Sequence, residues 1–119
     1  MAREDLAHKA ELSYLAAFYG GLLTGKQREA LTLHCEEDMS LGEIAEELNI
    51  SRQGVHELLT RAAAKMADME EKLHLADRFT RTEQSLIRCR DALAEGRYQE
   101  AQNLLDDLIR LEQEDENGL

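Results

Sequence analysis

At 119 residues, with no proline and many Ala, Leu and Glu, the chain is expected to be all-α: one domain, or one domain with an appendage. Its 14 basic and 25 acidic side chains leave a net charge of −11, which counts against tight nonspecific DNA binding. No apolar run approaches the roughly 18 residues of a membrane span and the start MAREDLAHKAELSYL has no apolar signal core, so a cytoplasmic protein with no membrane insertion is expected, its Cys35 and Cys89 reduced apolar fillers.

The first helix is expected over residues 4–23, with Leu15, Phe18, Tyr19 and Leu22 as its core stripe. Gly20 and Gly21 weaken its last turn. Thr24 and Gln27 have the spacing of a capping box that starts the second helix. Ala30, Leu31, Leu33 and Cys35 supply that helix's apolar contacts, and Glu36, Glu37 and Asp38 end it as a solvated edge.

Residues 40–61, SLGEIAEELNISRQGVHELLTR, are the centre of the sequence. Ser40 and Glu43 form a second capping box, and Ile44, Ala45 and Leu48 then share one face. Asn49 stands where the chain must turn, because Asn tolerates left-handed backbone. Ile50 is a buried link, Ser51 caps the next helix, and Val55, Leu58 and Leu59 face inward. The small Ala45 allows the close crossing that a helix-turn-helix needs.

Nothing in the sequence interrupts the helix from Ser51 until about Arg78, a rod of roughly 42 Å. Leu59, Ala62, Met66, Met69, Leu73 and Ala76 step by three and four along it. The rod has two readings: packing on the first helix of the same chain, or joining two copies as a homodimer through its outer half. The domain reading is therefore 1–79, a helix-turn-helix domain with the long helix 51–78, followed by 80–119. In the latter, Thr80 and Glu83 form a capping box, Leu86, Cys89 and Leu93 line one helix, Gly96 ends it, and Ala101, Leu104, Leu105 and Leu108 line the next. The result is an αα-hairpin whose stretch ALAEGRYQEAQNLL resembles one tetratricopeptide pair. The end, EQEDENGL, reads as a disordered acidic tail.

The candidate chemistry is recognition of DNA. In a helix-turn-helix the second helix enters the major groove by its first turn. The outward positions are Ser51, Arg52, Gln53, His56, Glu57 and Thr60, with Arg61 on the same flank. Arg52 suits guanine and Gln53 suits adenine, each through two hydrogen bonds. Ser40, Ser51 and Arg61 suit phosphates. Residues 51–65 hold Arg52, Arg61 and Lys65 against Glu57 alone, a local balance of +2. Gly54 and Glu57 depart from a strong reader: one removes a side chain from the first turn, the other places a carboxylate near phosphates. His34 and Cys35 are adjacent and diverge on a helix, and His8, His56 and His74 are scattered, so no metal site is expected. No nucleophile stands beside a base and no Gly-rich phosphate loop is present, so neither an enzyme nor a cofactor is expected.

The stretch from Tyr14 to Phe79, with LTGKQR at 23–28, SLGEIAEELNISRQ at 40–53 and EEKLHL at 70–75, resembles the YlxM family of small bacterial proteins. That family is similar to the promoter-reading helix-turn-helix of sigma factors, region four. The resemblance implies a sigma region-four-like bundle acting as a DNA-binding regulator. It also implies a link to the signal recognition particle pathway, since family members tend to be encoded beside its GTPases. The alternative is a protein- or RNA-interaction module of that targeting machinery, contacting the GTPases or the particle's RNA without sequence-specific DNA binding. The hairpin after Phe79 is longer and more distinct than the resemblance leads one to expect.

Overall fold

The structure, a computed structural model, describes the backbone of residues 2–117 and the surroundings of side chains 8–114. Among these residues the chain forms α1 (Ala2–Tyr19), a 3-10 turn (Gly20–Leu22), α2 (Gly25–Cys35), α3 (Leu41–Leu48), α4 (Arg52–Leu73), α5 (Leu75–Ala94) and α6 (Tyr98–Asn117). The all-α architecture read from composition is what is found. Two compact units divide the chain, Met1–Ala76 and Asp77–Leu119.

In the first unit, α1 ends four residues sooner than periodicity suggests. The two glycines tighten the backbone into the 3-10 turn, and this changes which side chains point inward. Leu22 is half exposed instead of buried, while Leu23 and, a helix turn before the expected stripe, Leu12 enter the core. The turn's carbonyls are taken up by cations: Arg28 donates from Nε and NH2 to Gly20 O, and Lys65 Nζ donates to Leu22 O at 2.6 Å. Cationic side chains are favourable against such C-terminal carbonyls.

Both reciprocal capping boxes form, Thr24 with Gln27 and Ser40 with Glu43. The acidic run after α2 is exposed, but Asp38 is not simply solvated. It adopts a left-handed φ of 52° and accepts from Lys9 Nζ at 2.6 Å, which holds its carboxyl below the usual range. The core is continuous through Tyr19, Ala30, Leu31, Ile44, Val55, Leu59, Ala62 and Met66. Ile44, Val55 and Met66 are fully buried, each removing apolar area worth about 1.5–3 kcal/mol.

The helix-period row on α4 is used inside this unit. Leu59, Ala62 and Met66 are buried, Met69 packs against the same cluster and Leu73 is half exposed, while Ala76, also buried, falls on α5. The first part of the row, through Met66, is taken up by the chain's own core, while Leu73 toward its end stays half exposed.

The long helix does not run to Arg78. It stops at Leu73, and His74 takes a left-handed conformation, φ 55° and ψ 28°. No glycine or proline marks the break. What stabilises it comes from α1 and from the preceding turn: Tyr19 Oη donates to Glu70 Oε1 at 2.6 Å and accepts from Leu75 N, while Glu70 Oε1 also accepts from Ala76 N. Two N–H groups of the first turn of α5, which have no partner within a helix, are thereby satisfied. A left-handed non-glycine residue costs about 1–2 kcal/mol, which these bonds offset. The Thr80–Glu83 box consequently does not form: Thr80 lies inside α5, where its N–H belongs to the helix ladder.

Tyr19 gives this corner a pH dependence. Burial first, and then the Glu70 carboxylate it donates to, push its hydroxyl above the ordinary 10.0. Because the folded value is raised, the unfolded chain ionises first. The contribution to stability is complete below pH 10 and is lost as pH rises through the folded value. A thermal-melt series from pH 8 to 11.5 is expected to fall above pH 10 in the wild type and to flatten there in Tyr19→Phe. An identical alkaline limb in both would refute the assignment.

The second unit is an antiparallel pair. Gly96, at φ 76°, makes the turn, with Arg97 N bonded back to Ala92 O. Cys89 Sγ reaches Ala101 O, and Arg78 pairs with Glu112. Its core is Cys89, Ala92 and Ala101 with Leu104 against them. Leu86, Leu93 and Leu105, assigned inward from periodicity, are 49%, 50% and 41% exposed, because the inward row runs through Ser85, Cys89 and Ala92 instead. The acidic end is helical through Asn117 rather than disordered; Gly118 and Leu119 lie outside the described residues.

Candidate nucleic-acid interface

The turn between α3 and α4 is built from bonds that the local sequence supplies. Asn49 is left-handed at φ 56° and ψ 46°, its N–H reaching Ala45 O and Glu46 O, and Ile50 N–H reaches Ala45 O at 3.0 Å. This closes α3 as a Schellman-type end. Ser51 then caps α4 by accepting from Gly54 N at 2.9 Å. Ile44 and Ala45 on α3 and Val55 and Leu59 on α4 are buried, which fixes the crossing and turns the opposite face of α4 outward.

Each singled-out residue can now be placed. Arg52, Gln53, His56, Thr60 and Arg61 are all exposed, as is Glu57 among them. Ser40 and Ser51 are exposed N-caps whose oxygens are engaged by Glu43 N and Gly54 N. Ser40, His56 and Thr60 meet in one open groove of about 780 Å³, lined also by His34 and Asp38. His56, Thr60 and Arg61 border a second, shallow cleft with Glu57. Arg52 lies apart from both, across Gly42 of α3.

Gly42 was not singled out from the sequence. A methyl group there would sit 3.0–3.3 Å from the Arg52 guanidinium, closer than ordinary packing. The missing side chain at this second position of α3 is the space in which Arg52 rests. The only signal in sequence is a glycine inside a helix where it costs about 1 kcal/mol relative to alanine.

The local electrostatics are mixed. Arg52 and Arg61 enter no ion pair among the described residues. Lys65 is turned away toward Leu22 O, and Arg52, over Gly42, lies apart from the cleft that Arg61 borders. On α3, Glu43, Glu46 and Glu47 are exposed.

A family model described as "Putative helix-turn-helix protein, YlxM / p13 like" matches residues 6–108. The chain belongs to this YlxM-like family. Among its relatives, the UPF0122 protein of Anoxybacillus flavithermus is 39% identical over 107 residues, covering 90% of this chain and 96% of the relative. That of Desulforamulus reducens is 45% identical over 80 residues, 67% of each chain. That of Acetivibrio thermocellus is 54% identical over 69 residues, covering 58% of this chain and 59% of the relative. The YlxM-like match takes in α5 and the first half of α6, so the hairpin is part of the family and not an addition to it. The family's description is that of a helix-turn-helix protein. No helix among the described residues is long and apolar enough to cross a membrane.

Proposed function

We propose that the protein is a cytoplasmic DNA-binding regulator that reads duplex DNA with the first turn of α4, in the manner of sigma region four. Arg52 and Gln53 address base edges in the major groove, His56 and Thr60 follow along the groove, and Ser40, Ser51 and Arg61 hold phosphates. The observation that carries this reading is the exposure of Arg52 and Gln53 at the start of a helix whose other face is locked into the core. Two arginines are few, and a homodimer would double them. The test is isolation of genomic fragments bound by the tagged protein, followed by anisotropy titration of a selected duplex. Binding is expected to weaken steeply between 50 and 200 mM salt, as counterion release requires. Failure to retain any duplex at 50 mM salt would end this reading.

A second reading is favoured by Glu43, Glu46 and Glu47, exposed on the helix that would cross the DNA backbone. In it, the same scaffold contacts the GTPases or the RNA of the signal recognition particle and no DNA. Retention of either component by the immobilised chain, with no duplex retained, would select it.

A further inference from the structure

We propose that the exposed apolar face of the α5–α6 hairpin is where two copies of this chain join, forming an antiparallel four-helix bundle with α5 of each copy lying over α6 of the other. This rests on the homodimer invoked for the proposed function and assigns its surface to the hairpin.

The hairpin's own core is too small to hold it. Cys89, Ala92 and Ala101 are buried, Leu104 is half covered, and three of these four are small side chains. Units of roughly 40 residues ordinarily need a disulfide, a metal or association, and Cys89 is a free thiol. Meanwhile the larger apolar side chains lie outside. Leu86 and Leu93 are seven apart on α5; Tyr98, Leu105 and Ile109 fall at i, i+7 and i+11 on α6. Their exposures run from 41% to 68%.

These two rows lie on one broad face. Each is rotated about 80° in the same sense from its helix's inward row, at about 100° per residue. In antiparallel neighbours that common rotation brings both rows to the same side. The pairings Cys89–Ala101 and Arg78–Glu112 set the register, so Leu86 stands beside Leu105 and Leu93 beside Tyr98. The five side chains leave on the order of 500 Å² exposed per copy, so that two copies would bury about 1,000 Å² in all, the lower bound of a specific interface.

Charge favours a second copy of this chain as the occupant. Helix α5 carries four arginines against three acids, and α6 one arginine against seven. A two-fold axis parallel to the helices places the arginine-bearing α5 over the acidic α6 of the partner. An axis across the helices would stack α6 on α6 and set seven acids against seven. A foreign basic helix would suit α6 but meet the arginines of α5. Complementary potentials of this kind select partner and register.

The test is the mass of the full chain in solution. Light scattering at about 100 µM is expected to give twice the 13.5 kDa chain mass. Leu105→Glu, and separately Tyr98→Asp, are expected to return a single-chain mass with helicity by circular dichroism retained, since neither residue belongs to the hairpin's own core. Leu22→Glu, exposed in the first unit, is expected to remain a dimer. Oxidising mixed Leu86→Cys and Leu105→Cys chains is expected to give mainly the mixed disulfide. A wild type of single-chain mass overturns both the two-copy reading and this surface. A folded Tyr98→Asp or Leu105→Glu that stays dimeric, or homodisulfides alone, overturns only the surface or its pairing. None of these outcomes depends on whether duplex DNA binds.

Discussion

Met66→Ala is expected to lower the free energy of unfolding of the first unit by about 2–5 kcal/mol, the range for truncating a fully buried methionine. Met66 is completely inaccessible, enclosed with Tyr19, Ile44 and Val55 where α4 meets α1 and α2. Removing its thioether leaves a cavity that the packed helices around it can only partly close. For a unit of this size the thermal midpoint would fall by about 8–40 °C. Met69→Ala, partly covered, is expected to cost about 1–2 kcal/mol, and Leu73→Ala, half exposed, less than about 1 kcal/mol. This decline along the row, measured by urea denaturation, would follow burial within the chain. If the row joined two copies instead, the cost would vary with protein concentration and Leu73→Ala would match Met66→Ala. A Met66→Ala cost below about 1 kcal/mol would contradict the core described above.

Arg52→Ala is expected to weaken a selected duplex by about 1–3 kcal/mol, roughly 5- to 150-fold, and to relax preference at one base position. Arg61→Ala should act differently. A phosphate contact weakens all sequences alike and lowers the salt slope by about one. Gly42→Ala separates positioning from folding. Alanine in a helix is favoured over glycine by up to about 1 kcal/mol, so the protein should be as stable or slightly more so. Its methyl group would enter the space of the Arg52 guanidinium and displace it. Binding is then expected to fall part of the way toward that of Arg52→Ala while the melting temperature holds or rises. Equal losses in Arg52→Ala and Arg61→Ala across unrelated sequences would show that Arg52 reads no base.

Much of the candidate interface was legible because its determinants are neighbours in the chain. Ser40 with Glu43, Ser51 with Gly54 and the left-handed Asn49 each act over a few residues. The outward positions on α4 follow from the inward ones, since Val55 and Leu59 fix the helix's rotation. Gly42 was missed because its importance lies in a side chain from the next helix. The hairpin's inward row was misread for a related reason: Leu86, Leu93 and Leu105 have the periodicity of a core row, and nothing in that periodicity says whether the row faces the neighbouring helix or another surface.

By itself, then, the amino-acid order determined the helical class, the capped starts of α2, α3 and α4 and the tight turn between the last two, all governed by hydrogen bonds spanning five residues or fewer. The tertiary structure decided that α4 ends at His74, where Tyr19, 51 residues before Glu70, joins that carboxylate in satisfying the first N–H groups of α5. It also decided that Met66 belongs to the chain's own core and that Arg52 rests over Gly42. Such contacts depend on how helices far apart in the chain meet in space, and an apolar side chain's spacing encodes which way it faces along its own helix but not what it will meet there.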